Sequence, residues 1–154
     1  QEGSLTPNAE QQSYAQKMAD WGADVILGHH PHVLQPIEEI QRQDGGTTLC
    51  VYSLGNFVHE QAQYINVVGG MITFDITKTN DERATWSNVQ FTPTVCHYPG
   101  NFYGNKVYLL KDYTETLANQ HAVRTYYNNS ISLSALQELV TNTIDSKYLT
   151  AYLQ

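Results

Sequence analysis

The segment VILGHHPHVLQPIE, residues 25–38, places a short apolar run directly before a loop that contains three histidines. The whole chain has six histidines, so half of them fall within four consecutive positions. An uninterrupted apolar run, as in Val25–Leu27, is typical of a central strand whose two faces are both covered. The histidines are therefore predicted to lie at the carboxyl end of a buried strand, the edge where open α/β sheets bind ligands.

A helix is predicted before this strand. Thr6 and Pro7 are expected to be its cap and its first residue, and Gly22 is expected to end it. The apolar residues within it recur at helical spacing and are predicted to form its apolar stripe: Tyr14, Ala15, Met18, Ala19 and Trp21.

Antiparallel strands are predicted in the middle of the chain and two helices at its end. Asp44-Gly45-Gly46 separates strand-like residues 37–41 and 47–52 as a hairpin turn would. Further predicted strands cover residues 69–78, 88–95 and 106–110. The two helices are expected to begin at the capping pairs Asp112/Glu115 and Ser134/Gln137, with His121 solvated on the first of them. This order predicts a mixed α+β fold of stacked layers.

Composition limits the partners. The formal charge of −7 opposes nucleic acid or an anionic membrane surface as the main partner, because both attract basic proteins. The 154 residues suffice for one domain or a large piece of one. The first residues, Gln-Glu-Gly without Met, predict that a leader has been removed or that this is an internal piece of a longer protein. Cys50 and Cys96 are predicted to be buried free thiols.

The histidine loop suggests metal chemistry. Neutral imidazole is the commonest transition-metal ligand near neutral pH. His30 and His32 are predicted to converge because alternate side chains at a strand end point the same way, and Pro31 is expected to stiffen the pair. His29 would then face a second metal, a substrate phosphate or the core. The alternative is a polar loop whose histidines bond to backbone.

Two motifs together closely resemble the CapA-type poly-γ-glutamate capsule biosynthesis proteins, within the calcineurin-like metallophosphoesterase superfamily. They are GHHPHVLQP at residues 28–36 and YSLGNF at residues 52–57, and the similarity is expected to continue through residues 97–110 into the helical tail. The resemblance implies a four-layer α/β/β/α sandwich around two divalent metal ions (Mn, Zn or Fe). It also implies that residues 1–154 are the carboxy-terminal part of a single such domain.

The resemblance further implies that His29, His30 and His32 supply metal ligands. The family's Gly-His-x-His element fits either His29 with His32 or His30 with His32, because this sequence has one extra residue. The family's earlier elements do not occur here: an acidic motif, an Asn-His motif and a His-Trp-Gly motif. A missing amino-terminal half is therefore the expected partner, with membrane proteins of capsule synthesis as further partners. Proteins of this type are usually anchored on the outer face of the bacterial cytoplasmic membrane.

Two functional classes stay open. In the first, the protein is a metal-dependent phosphoesterase once completed by that half, with His29 and Asn56 as catalytic residues beside the metal. Asn56 would contact an anionic substrate or orient a ligand, unless it only bonds within its own turn. In the second, the protein is a non-catalytic scaffold or polymer-export component of the cell-surface capsule machinery.

Overall fold

Helix α1 spans Ala9–Asp20 in the computed structural model, which describes residues 1–80, 82–100, 103–127, 130–151 and 153. Asn8 caps it: Asn8 Oδ1 accepts from the Gln11 N–H, and Gln11 Oε1 accepts from the Asn8 N–H. The predicted start at Thr6-Pro7 is therefore wrong, because this reciprocal pair satisfies two free backbone donors further along. Gly22, with a φ of 101°, ends the helix as predicted.

The buried face of α1 is narrower than predicted. Ala15 and Ala19 are buried, whereas Tyr14, Met18 and Trp21 are exposed. Small side chains let the helix lie close to the sheet beneath it, so the larger ones are displaced to its flanks.

The first sheet contains β1 (Val25–Leu27), β2 (Leu34–Gln41) and β3 (Thr47–Leu54), in the order β1-β3-β2. β1 runs parallel to β3, and β2 and β3 form the predicted antiparallel hairpin. The prediction that Val25–Leu27 is a buried central strand is wrong. Within the described residues β1 lies at the sheet edge with Leu27 51% exposed, whereas β3 is buried on both faces.

The second sheet is antiparallel, with the order β4-β5-β6. Its strands are β4 (Val68–Thr77), β5 (Thr85–His97) and β6 (Lys106–Leu109). Phe91 of β5 is fully buried and lies against Gly70 of β4. A Cβ at Gly70 would lie 2.2 Å from Cζ of Phe91, so the glycine makes room for the ring.

Three helices, not two, occur in the described part of the chain after β6: α2 (Glu115–Gln120), α3 (Ala122–Tyr127) and α4 (Leu133–Thr143). The side chains of Thr114 and Ser132 cap α2 and α4, so the predicted caps Asp112 and Ser134 are wrong. His121 adopts an extended backbone that separates α2 from α3. It is fully buried, which corrects the prediction that it is solvated.

The elements stack in layers around two groups of buried side chains. α1 covers one face of the first sheet, where Ala15 and Ala19 meet Cys50 and Tyr52 of β3. The other face shares a larger core with the second sheet and the carboxy-terminal helices, including these side chains: Leu34, Val51, Phe91, Val95, Leu136 and Val140.

The predicted α+β class is confirmed. Cys50 and Cys96 are buried and free, as predicted. No described helix combines the length and apolar character needed to cross a membrane.

Candidate metal centre

The histidine loop connects β1 to β2 through a strained backbone. A Cβ at Gly28 would lie 2.4 Å from the Tyr52 carbonyl oxygen, so only glycine fits where the loop leaves β1. His30 and His32 have φ values of 100° and 60°, in the region that disfavours residues with a side chain. A residue that precedes proline usually adopts an extended backbone, and His30 departs from that preference. The tertiary contacts of the loop decide its conformation.

His30 and His32 lie side by side, as predicted. Their ring centroids are 6.2 Å apart and the ring planes are tilted by 52°. The convergence comes from the two left-handed residues rather than from strand alternation, because β1 ends at Leu27. At 6.2 Å the two rings lie slightly further apart than the roughly 5–6 Å expected of rings that ligate one ion through metal–nitrogen bonds of about 2 Å. The wider spacing leaves room for one ring on each of two ions about 3.5–4 Å apart.

Asn56 contacts His32 directly. Asn56 Oδ1 lies 3.0 Å from His32 Nδ1, and Asn56 Nδ2 donates to the His32 carbonyl oxygen at 3.0 Å and to the Asn66 carbonyl oxygen at 3.3 Å. Carbonyl oxygens only accept, which fixes the amide with its nitrogen toward them and its oxygen toward the ring. His32 Nδ1 therefore carries a hydrogen, so that in the neutral form of the ring the lone pair is on Nε2. The arrangement suits a metal ligand, because ligating histidines commonly donate their second ring N–H to an oxygen.

Two further amide side chains surround this contact. Gln61 Oε1 accepts from Asn56 Nδ2 at 2.9 Å, and Asn66 Nδ2 donates to the His32 carbonyl oxygen at 2.9 Å. Asn66 is buried, and the short 3₁₀ turn Tyr64–Asn66 places it. Sequence reasoning missed Gln61 and Asn66, since neither residue belongs to a local motif.

A cavity of about 370 Å³ lies beside His32. The residues that line it are Glu2, Gly3, His32, Gln61, Ala62, Gln63 and Asn66. Among the described residues, its lining has no lysine or arginine. The described lining therefore offers amide groups, one carboxylate and the His32 imidazole, and it brings no lysine or arginine to an anion.

His29 is exposed and lines a different cavity, of about 200 Å³, with side chains that include Tyr14, Met18 and Tyr52. The structure thus places His32 and Asn56 together and directs His29 toward α1. The assignment of His29 as a ligand or catalytic residue stays a prediction.

The other three histidines, His59, His97 and His121, belong to the interior near the end of β5. The rings of His97 and His121 meet edge to face with centroids 5.2 Å apart. Burial lowers the pKa of His59 and of His121 to about 4 and also lowers the pKa of His97. These rings are therefore neutral at pH 7. Across the described residues, no group of three or more histidine, cysteine, aspartate or glutamate side chains is arranged to hold a metal ion.

Comparison with known proteins locates the similarity in the part of the chain that carries the histidine loop. Residues 1–61 match the model of the family described as Bacterial capsule synthesis protein PGA_cap. The chain is 40% identical over 95 residues to the PGA biosynthesis protein CapA of Bacillus subtilis (strain 168), which covers 55% of this chain and 24% of that protein. It is 47% identical over 55 residues to the Capsule biosynthesis protein CapA of Bacillus anthracis, covering 36% of this chain and 12% of that protein.

The chain spans about a quarter or less of the length of these curated relatives. The family match ends at residue 61, so the expected similarity of the helical tail stays a prediction. The matched residues include α1, the histidine loop and Asn56. The resemblance of this chain to the CapA-type capsule biosynthesis proteins is thereby confirmed.

Proposed function

We propose that this chain forms part of a divalent-metal centre in a metal-dependent phosphoesterase of capsule or poly-γ-glutamate biosynthesis. The observation that carries the proposal is the pairing of His30 with His32, together with the hydrogen bond from His32 Nδ1 to Asn56. His32 is partly buried, and the amide side chains of Asn56 and Asn66 hold its ring and its carbonyl group, as the surroundings of a metal-ligating histidine commonly do. Here the network leaves Nε2 of His32 free beside a second imidazole.

His30 and His32 would hold the metal, with Mn²⁺, Zn²⁺ or Fe²⁺ as the candidates. A bound divalent ion would supply the positive charge that polarises a phosphoryl oxygen and acidifies a water molecule. Asn56 Oδ1 contacts the ring of His32 and orients it. This contact supports a positioning role for Asn56 more than direct contact with a substrate. His29, one residue before the pair, is the candidate for a second ion or for a substrate oxygen.

Two histidines are fewer protein ligands than the three that catalytic zinc sites commonly use. We propose that the remaining ligands come from an upstream half of the same domain. The edge strand β1 supports this partner, because Leu27 is half exposed and two more apolar side chains are exposed nearby, Met18 on α1 and Trp21 directly after it. A further layer of protein would cover these apolar side chains and would bring ligands to the adjacent histidine loop.

The names of the matched relatives support a role in capsule biosynthesis, and we propose that this role is exercised on the outer face of the bacterial cytoplasmic membrane. A membrane anchor in the full-length protein and contact with membrane proteins of capsule synthesis belong to the same proposal. The acidic net charge of −7 opposes direct electrostatic binding of polyglutamate.

The test is a phosphodiesterase assay on a protein that carries both this chain and the proposed upstream half. We expect turnover that requires Mn²⁺ or Zn²⁺, disappears in His32→Ala, and survives in Gln63→Ala, which alters an exposed residue of the same cavity. Folded protein that binds metal but turns over no phosphodiester would contradict the enzyme and favour the scaffold or export component.

A further inference from the structure

We infer that Asn66 is a positioning residue for His32: it holds the backbone of the histidine so that the ring stays in the Nδ1–H tautomer and presents Nε2. This inference rests on the proposed metal centre, for which it names a residue that sequence motifs do not reveal. Asn66 touches neither metal nor substrate in this role. It acts through the carbonyl group of His32 and through Asn56.

The contact between Asn66 and His32 joins residues 34 positions apart in the sequence. Asn66 Nδ2 donates to the His32 carbonyl oxygen at 2.9 Å, and the same oxygen accepts from Asn56 Nδ2 at 3.0 Å. Two amide donors thus converge on one backbone carbonyl. Their target is a residue with a φ of 60°, a conformation that a histidine adopts only where its surroundings enforce it.

The backbone of Asn66 completes the arrangement. Its carbonyl oxygen lies 3.3 Å from Asn56 Nδ2 and is the most distant of three acceptors that share the two hydrogens of this amide, all of which favour the orientation with Oδ1 toward the His32 ring. The side chain of Asn66 therefore fixes His32, and its main chain helps to fix Asn56. A substitution of the side chain separates these two effects, because it removes only the donor to His32.

Asn66 itself is held firmly enough to serve as a reference point. It is 6% exposed, and its N–H donates to the Gln63 carbonyl oxygen within a 3₁₀ turn. Gln61 lies just before this turn, and both of its backbone polar groups are hydrogen-bonded. Its N–H donates to His59 Nδ1, and its carbonyl oxygen accepts from the buried hydroxyl of Tyr98. The amides that hold His32 are thus anchored to the protein core.

The position of the ring follows from the backbone. If the His32 carbonyl loses one of its two donors, the left-handed conformation has less support, and the ring can turn away from Asn56 Oδ1. Free of that acceptor, a neutral imidazole has no reason to keep its hydrogen on Nδ1. The tautomer of His32 therefore reports on the positioning role directly, without any metal.

The experiment is long-range ¹H–¹⁵N NMR of the histidine rings in the metal-free protein at pH 8, above the ordinary histidine pKa of about 6.5. The His32 signals are assigned by their loss in His32→Gln. We expect Nδ1–H as the main tautomer of His32 in the native protein, and a fall of its population by at least half in Asn66→Leu, which has a similar shape but no donor. Asn66→Ala is the second variant, should the leucine prevent folding. Gln63→Leu, an amide removed from the same cavity at an exposed site, should leave the tautomer unchanged.

A native His32 with its hydrogen on Nε2, or a tautomer that is unchanged in a folded Asn66 variant, would overturn the inference. The failure of the proposed function has a different signature. A protein that binds no metal, while its His32 tautomer still depends on Asn66, would keep the positioning role and remove the metal centre. A protein that binds metal, while its His32 tautomer does not depend on Asn66, would keep the metal centre and remove the positioning role.

Discussion

The buried ring of His121 should make the protein lose stability in mild acid. The ring is fully buried, its Nε2 lies 3.1 Å from the Cys96 carbonyl oxygen, and its Nδ1 accepts from the Val123 N–H at 3.1 Å. The neutral ring therefore satisfies both nitrogens, with the hydrogen on Nε2. Protonation would place a charge in the core. It would also put a hydrogen on Nδ1, which would then face the Val123 N–H donor to donor.

The expected loss follows from the two pKa values of this ring. Burial lowers the pKa of His121 in the folded protein to about 4, against an ordinary value of about 6.5 in the unfolded chain. Between these values the unfolded chain binds more protons, so the free energy of unfolding falls as the pH falls from about 6.5 to about 4. At pH 4.5 the difference amounts to roughly 2–3 kcal/mol from this one group.

Urea denaturation of the native protein and of His121→Phe at pH 7.5 and pH 4.5 isolates this effect. The phenylalanine loses both hydrogen bonds, so the variant should be less stable by about 1–3 kcal/mol at pH 7.5. At pH 4.5 the native protein is also destabilised by the low pKa of His121. The difference in free energy of unfolding between the native protein and His121→Phe should therefore shrink by roughly 2–3 kcal/mol. His29→Gln, which removes an exposed ring, is the control for the loss of a surface histidine. An equal gap between native protein and His121→Phe at both pH values would refute the reasoning.

Two pairs of substitutions test what holds the sheets together. Arg42 has a side chain that is 5% exposed and binds Asp24 at 2.8 Å. Arg42→Ala should lower the free energy of unfolding by about 1–3 kcal/mol, because it removes a buried side chain together with its hydrogen bonds to Asp24 and Asp44. Arg83→Ala, which removes an exposed ion pair, should cost under about 1 kcal/mol; similar costs for both arginines would contradict the assignment. Phe91→Ala should cost about 3–5 kcal/mol, and Ile76→Ala, at a position 61% exposed on the same hairpin, about 0.5 kcal/mol or less. Urea titration measures both pairs, and a tolerated Phe91→Ala would mean that the core between the sheets is not centred on this ring.

Local patterns selected Asn56 and predicted the pairing of His30 with His32, although the pairing arises from the positive φ angles of both residues and not from the strand alternation on which the prediction rested. They were not sufficient to distinguish β1 from β3. Both strands are apolar, but their burial depends on which strand has neighbours on each side, and the strand order is set by contacts far apart in sequence. A three-residue apolar run therefore looks the same at the edge of a sheet as at its centre.

Asn66 and His121 show the other limit. Asn66 approaches His32 only because the turn Tyr64–Asn66 comes to lie beside the histidine loop in the folded protein. His121 stands where an unbroken helix was predicted, since the sequence has no glycine or proline at that point. The break comes from its extended backbone and its buried hydrogen bonds, which are tertiary features.

The most direct test of the account is calorimetric titration, with Zn²⁺ and Mn²⁺, of a metal-free protein that carries both this chain and the proposed upstream half. Four proteins are needed: the native protein, the double variant His30→Ala/His32→Ala, Asn56→Ala and Gln63→Ala. We predict binding in the native protein and in Gln63→Ala, a loss of affinity of about 10–100-fold in Asn56→Ala, and no binding in the double variant. No binding by the native protein, or the same binding curve for the native protein and the double variant, would contradict the assignment of this loop as a metal site.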